Sequence, residues 1–210
     1  MTTPSTIGLA KKLMTADEFW DFVHKPENEN RDFELIRGEV IEVSRPRTPH
    51  GLVCARIVYR LEQYAEKCGR GYVTCNDAGV VLREDPASVV GPDVAYFTDV
   101  NRFEDLHPKW GDRPPVLAVE VSSPTDRPGK INTKIREYLT NGVKVVWQID
   151  YEERNVTVHR PEKTLEIIPE SGLLTGGDDL PNLEISVADL FRLPGEKPAP
   201  APTQPLPPSA

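Results

Sequence analysis

Between residues 51 and 67 the apolar positions Leu52, Val53, Ile57, Val58, Leu61, Tyr64 and Ala65 recur at the three-to-four spacing of a single helix face, and Gly69 and Gly71 close the run. Upstream, Thr15 followed three residues later by Glu18 forms a capping box, and Phe19, Trp20, Phe22 and Val23 give the helix behind it an apolar side. FELIRGEVIEVS reads as two short strands joined at Arg37-Gly38, a hairpin signal. Further strands are predicted at GYVTC, AGVVL and DVAYF, and a loop carrying Trp110 and two prolines leads into VLAVEVSS, a strongly β-type run. The spacing then predicts a helix over 132–140, stopped at Asn141-Gly142, and VKVVWQID, NVTVHR and LEIIP give three more strands. The order is hairpin, helix, strands, helix, strands. It predicts an α/β (α+β) fold with a central mixed β-sheet flanked by helices, rather than a strictly alternating doubly wound sheet.

No internal repeat of solenoid period is present. A chain of 210 residues suits one domain with a full core, placed here at 15–194. Residues 1–14 are read as a flexible N-terminus, and the tail GEKPAPAPTQPLPPSA, 195–210, as a disordered proline-rich extension. No stretch reaches the roughly 18 apolar residues of a membrane span, and the N-terminus lacks the apolar core of a secretory signal, so a soluble, cytoplasmic protein is expected. Cys54, Cys68 and Cys75 are odd in number and lack Cys-x-x-Cys spacing, which speaks against zinc and for buried free thiols. The net charge of -8 argues against avid, sequence-blind binding to DNA, although a local basic groove is compatible with an acidic whole.

Three polar residues stand where apolar ones belong. Asp93 opens a strand that continues as Val94 to Phe97. Strand alternation puts Val116, Ala118, Glu120 and Ser122 on one face, with Leu117, Val119 and Val121 on the other. A carboxylate midway along so apolar a strand needs compensation, which a divalent metal supplies. Lys134 borders the helical stripe of Ile131, Ile135, Tyr138 and Leu139, so its ammonium can point toward the sheet; Lys130 and Lys144 have no such placement. Blander readings stand beside these. Pro92-Asp93 is also a turn pair, Glu120 could pair with an interior arginine, and Lys134 could lie along the surface. His50, at a helix entrance, reads as a capping or packing residue. Ser122, Ser123 and Pro124 read as a strand end, Trp110 and Trp147 as packing, and Asp178-Asp179 as an exposed turn.

Pro-Asp, then a strand with Glu-x-Ser, then a helical lysine resembles the PD-(D/E)xK nuclease superfamily with its lysine displaced from the position of Ser122. The wider series FELIRGEV, His50 before a helix, GVVL, PDVAYF, VLAVEVSSPTD, TKIREYLTNGVKVVWQID and VTVHRP, running from about residue 15 to 193, resembles the Uma-type family of restriction endonucleases. The resemblance implies a restriction-endonuclease-like fold and a metal-dependent endonuclease acting on DNA phosphodiester bonds, with Mg²⁺ or Mn²⁺ as the ion. On the same footing Asp93 and Glu120 would be metal ligands, the backbone carbonyl of Val121 a further ligand, and Glu34 a supporting one. Lys134 would complete the catalytic set by orienting water or stabilising developing charge. DNA is then the expected substrate, and a homodimer is compatible with relatives of this fold. Ser122 and the acidic balance keep open a catalytically inactive interaction or assembly protein, and a hydrolase of another phosphate is a third reading.

Overall fold

The computed structural model describes residues 13–122 and 128–196. Thr15 accepts the Glu18 amide on its side chain while Glu18 reaches back to the Thr15 amide, so the capping box starts α1 (Ala16–Val23) as expected. Strands β1 (Asp32–Ile36) and β2 (Glu39–Val43) pair antiparallel around Arg37 and Gly38, whose φ values of 51° and 78° are the left-handed pair of a tight hairpin turn. Helix α2 (Thr48–Cys68) buries Val53, Ile57, Leu61, Tyr64 and Ala65 and ends at Gly69, with φ 65°. Next come β3 (Tyr72–Cys75), β4 (Val80–Glu84), β5 (Ala87–Val90) and β6 (Val94–Phe97). The buried strand β7 (Leu117–Ser122) precedes α3 (Pro128–Thr140). The chain closes with β8 (Val145–Asp150), β9 (Asn155–His159), β10 (Glu166–Ile168), β11 (Leu173–Gly176), β12 (Leu180–Ser186) and the short α4 (Ala188–Phe191).

The central sheet has six strands in the order β10-β9-β8-β7-β6-β3 and is mixed: β7 and β8 run parallel, and the other neighbours antiparallel. The parallel pair is joined through α3, which returns the chain across one face. A four-stranded antiparallel sheet, β2-β1-β5-β4, and the β11-β12 hairpin complete the architecture. The expected mixed sheet with flanking helices is therefore what forms.

Strand alternation decides what each face of β7 meets. Leu117, Val119 and Val121 enter a core with Val53, Ile57 and Leu61 of α2, to which β12 and α4 add Leu183, Ile185 and Leu190. Ala118 faces the other way, into a core with Ile135 and Tyr138 of α3 and Val80 and Val90. Trp147 is fully buried in the first core, and Trp110 packs on Phe19 and Trp20.

The sequence-based expectations miss in specific places. Helix α3 begins at Pro128, four residues before the predicted 132, with proline at a first position where its missing N–H costs nothing. Strands β5, β11 and β12 and helix α4 were not anticipated. β5 is only four residues long, and β11 and β12 are interrupted by Gly176, Gly177 and Pro181. The thiols are free, as expected, but not buried. Cys68 and Cys75 are exposed because they end α2 and β3, beyond the reach of the core, and Cys54 is half-buried. Asp178-Asp179 does lie in a turn. The expected loose residues 1–12, Ser123 and Pro124, and 197–210 of the proline-rich tail lie outside the described residues. No helix among the described residues is long and apolar enough to cross a membrane.

Candidate active site

Where β7 passes under α3, the alternation that buries Ala118 turns Glu120 toward the helix, only 6 % exposed. A bare carboxylate in that position would be prohibitively costly, and two side chains of α3 meet it. Tyr138 donates its hydroxyl to Glu120 Oε1 at 2.7 Å, and Lys134 Nζ lies 3.0 Å from Oε2. Lys134 and Tyr138 are four residues apart, one helical turn, which is why one helix supplies both partners. The ammonium also sits 2.7 Å from Glu34 Oε1 and donates to the Gly91 carbonyl at 2.8 Å. Lys134 therefore points inward, its side chain 14 % exposed, and the surface reading does not hold. Nor is Glu120 paired with an arginine, since its cationic partner is this lysine.

Glu34 arrives from β1, and its Oε1 also accepts the Gly91 amide at 3.1 Å. Gly91 thus gives its N–H to one carboxylate and its carbonyl to the ammonium, in the two residues before Asp93. A Cβ at this position would collide with the Asp77 carbonyl, so the close approach requires glycine. Asp93 is fixed by the Val121 N–H, which donates to Oδ2 at 2.6 Å, leaving Oδ1 turned toward His50 Nε2 at 3.1 Å. Five side chains from β1, α2, the start of β6, β7 and α3 thus face one cleft of about 1060 Å³. Arg45, Arg47 and Lys130 also line it, giving the acidic floor a basic rim.

Electrostatically the floor holds more negative charge than its lysine offsets. Burial raises Glu120 to about 8, with the charges of Asp93 and Glu34 adding to the effect and Lys134 opposing it. Asp77, open to the cleft in the turn after β3, rises to about 6 through desolvation and then the neighbouring Asp93 charge. Asp93 itself stays below the usual carboxylate range: burial pushes it up, but the His50 hydrogen bond, Lys134 and the Val121 amide more than reverse that. Lys134 is held firmly protonated, because Glu120, Glu34 and Asp93 outweigh its desolvation. Such a floor, with surplus carboxylate oxygen and a nearby imidazole, fits a divalent cation. Asp93, Glu120 and Glu34 are the oxygen donors available, and Val121, next to Glu120 on β7, also lines the cleft.

All four side chains picked out by pattern, Glu34, Asp93, Glu120 and Lys134, are thus brought into one cleft, with Val121 anchoring Asp93. Sequence reasoning missed His50, Asp77, Tyr138 and Gly91 as parts of the site. His50 does not cap α2: the N-cap is Arg47, with no side-chain cap bond, and His50 lies inside the first turn, reaching Asp93. Its signal was available, since His50 lies three residues before Val53 and seven before Ile57, in line with the buried stripe of α2. Ser122, where the resemblance would place a lysine, ends β7 buried, with Oγ 3.5 Å from the Ile149 carbonyl.

No curated protein sequence matches the chain. Among solved structures, it is similar to one described as a putative nuclease belonging to DUF820 from Anabaena variabilis ATCC 29413, with a TM-score of 0.70 and 22% identity. That match covers 85% of this chain and 97% of the other. At that identity the likeness carries the fold. A family model described as "Putative restriction endonuclease" matches residues 17–188, spanning the central sheet, the hairpin sheet and every side chain of the cleft described above, and the chain therefore belongs to the Uma2 family.

Proposed function

We propose that the protein is a divalent-cation-dependent endonuclease that hydrolyses DNA phosphodiester bonds, with Asp93 and Glu120 as the principal cation ligands and Lys134 as the catalytic cation. The observation that carries this reading is the position of Lys134 Nζ, between Glu34 and Glu120 in a cleft whose carboxylates outnumber it. A Mg²⁺ or Mn²⁺ ion bound there would polarise the scissile phosphate and lower the pKa of an attacking water. The protein's own residues do the rest. Val121 N–H and His50 hold the Asp93 carboxylate in one orientation, and Tyr138 does the same for Glu120. The Lys134 ammonium, kept charged by its neighbours, is placed to meet negative charge developing on the phosphate oxygens. Because it comes from α3, it can act without the lysine that Ser122 replaces. Arg45, Arg47 and Lys130 at the rim are suited to flanking phosphates, so a net charge of -8 need not prevent local strand binding. A cytoplasmic location, where such a substrate is found, belongs to the same reading.

One observation favours the second reading, a catalytically silent interaction protein. The three donors of Lys134 are already matched by Glu34, Glu120 and the Gly91 carbonyl, the saturation expected of a purely structural pair. Cleavage of plasmid and oligonucleotide DNA with Mg²⁺ or Mn²⁺ separates the two. The nuclease reading expects cation-dependent cutting that drops at least about 100-fold in Asp93→Ala, Glu120→Ala and Lys134→Met. Cutting equal in wild type and variants, or absent from a folded wild type over a range of DNA substrates, removes it.

A further inference from the structure

In the chemistry above the histidine that touches Asp93 only orients that carboxylate, yet its geometry is that of a ligand. We propose that His50 Nε2 binds directly to the cation held by Asp93, making a mixed imidazole and carboxylate centre that takes Mn²⁺-class transition ions in preference to Mg²⁺. The inference rests on the reading that Asp93 holds a cation.

Three features support it. First, His50 Nε2 and Asp93 Oδ1 are 3.1 Å apart. Two neighbouring ligands about 2.1 Å from one ion and at right angles stand about 3.0 Å apart, so the pair is already spaced as adjacent ligands. Second, Asp93 has one oxygen to offer: Oδ2 is taken by the Val121 amide at 2.6 Å, and the free oxygen, Oδ1, is the one His50 faces. Third, the imidazole is supported from behind. His50 Nδ1 lies 3.5 Å from Cys54 Sγ, one turn along the 21-residue helix α2. An imidazole that coordinates through Nε2 must carry its proton on Nδ1 and needs an acceptor there, and Sγ is that acceptor. With no ion bound the proton can sit on Nε2 and be donated to Asp93, while the thiol donates to Nδ1. Cys54 accommodates both tautomers, because a thiol both donates and accepts. His50, Cys54 and Asp93 group closely, their ligand atoms all within 4.8 Å of one another.

The chemical consequence is selectivity. Oxygen-only clefts suit Mg²⁺, whereas an imidazole nitrogen adds affinity for Mn²⁺ and later first-row ions far more than for Mg²⁺. His50→Gln is therefore expected to weaken Mn²⁺ binding by about 10–100-fold while changing Mg²⁺ affinity little. Cys54→Ser, which keeps a donor and acceptor, should retain Mn²⁺ affinity, and Cys54→Ala should lose part of it.

The test is pulsed electron paramagnetic resonance of the full-length protein loaded with Mn²⁺, read for nitrogen hyperfine coupling, with titration calorimetry of Mn²⁺ and Mg²⁺ alongside. The expected result is a directly bound imidazole nitrogen in wild type that disappears in His50→Gln while the far-ultraviolet circular dichroism is unchanged. Mn²⁺ bound to wild type in an Asp93-dependent manner but without nitrogen coupling overturns the role of His50 and leaves the cation site standing. Absence of Mn²⁺ binding, or binding indifferent to Asp93→Ala, overturns both. Since the coupling is read on wild type, the result does not depend on the variant folding.

Discussion

Arg37 Nε stands 2.6 Å from Glu137 Oε1, linking a hairpin turn to a helix one hundred positions further along the chain. Glu137 is wholly buried and takes a second hydrogen bond from Ser88 Oγ at 3.1 Å, while the Arg37 amide donates to the same Ser88 hydroxyl at 3.0 Å. The network fastens α3 to the β1-β2 hairpin and to β5. Lys134 and Tyr138 flank Glu137 on that helix, and Glu34 lies on that hairpin. The distance between the site's lysine and its first carboxylate is thus set by an ion pair outside the cleft.

Breaking this link should loosen both stability and site geometry. Arg37→Ala leaves a buried carboxylate with Ser88 alone. A fully buried pair broken in this way costs about 3–5 kcal/mol, and because the Arg37 side chain is 52% exposed the expected loss is about 1–3 kcal/mol. Urea unfolding measures it. Glu137→Gln, which retains an acceptor for Ser88, should lose less than Arg37→Ala. Equal stability of Arg37→Ala and wild type would show that the contact positions nothing.

Tyr138 contributes both to the α3 core and to Glu120. Tyr138→Phe keeps the ring packing and deletes only the hydroxyl, so any loss isolates the 2.7 Å bond. With its pKa raised to about 8, Glu120 is largely protonated at neutral pH when no cation is bound, so the bond is worth about 0.5–1.5 kcal/mol, and Lys134 remains to hold the other oxygen. The variant should fall in that range without cation, and denaturation without added metal gives the number.

Gly91 tests how closely the site is fitted. Alanine there adds a methyl group against the Asp77 carbonyl, so the segment carrying the Gly91 amide and carbonyl must shift away from Glu34 and Lys134. Gly91→Ala is expected to cost about 1–3 kcal/mol, as overpacking does, and to reduce cleavage together with cation affinity. Calorimetric titration with Mn²⁺ checks the second effect independently of activity.

His159 provides a pH dependence remote from the cleft. It ends β9 nearly buried, its Nε2 3.2 Å from Gln148 Oε1, and burial holds its pKa below the ordinary 6.5. Folding therefore favours the neutral ring. Its contribution is complete above pH 6.5 and is lost as pH falls below that value, where the unfolded chain binds the proton more readily. Wild type should lose more melting temperature between pH 7 and pH 5 than His159→Gln, which cannot take up that proton. Parallel curves for the two proteins would show that the buried ring does not contribute.

The elements with strong periodicity could be read in the sequence because each had a large apolar face to bury. The α2 stripe, the alternation of β7 and the turn at Arg37-Gly38 all appear where expected. The C-terminal hairpin could not be read, since Pro181 and the Gly176-Gly177 pair mimic a loop and its strands are held by packing from distant α2. At the site, Glu120 and Lys134 betrayed themselves as charges on apolar faces. Asp77 gave no such signal. It lies in a turn whose Asn76 and Asp77 both have positive φ, and only the folded chain brings that turn against Asp93. His50 also lay in line with an apolar stripe, but a histidine at a helix start has a sufficient local explanation.

A cleft that gathers like charges should be less stable empty than filled, and the thermal behaviour should show it. Mg²⁺ or Mn²⁺ at about 100 times its Kd adds about 2.7 kcal/mol if it binds the folded state alone. For a chain of this size that corresponds to a rise of roughly 5–10 °C in Tm. Asp93→Ala and Glu120→Ala should abolish the rise. Asp77→Asn makes the sharper test, because it removes a charge that opposes Asp93 without removing a proposed ligand. Its Tm without cation should exceed that of wild type, and the further gain on adding Mn²⁺ should be smaller. Scanning fluorimetry of the four proteins with and without cation gives the comparison. A cation-free Tm for Asp77→Asn at or below wild type would mean that the cleft stores no repulsion for an ion to relieve.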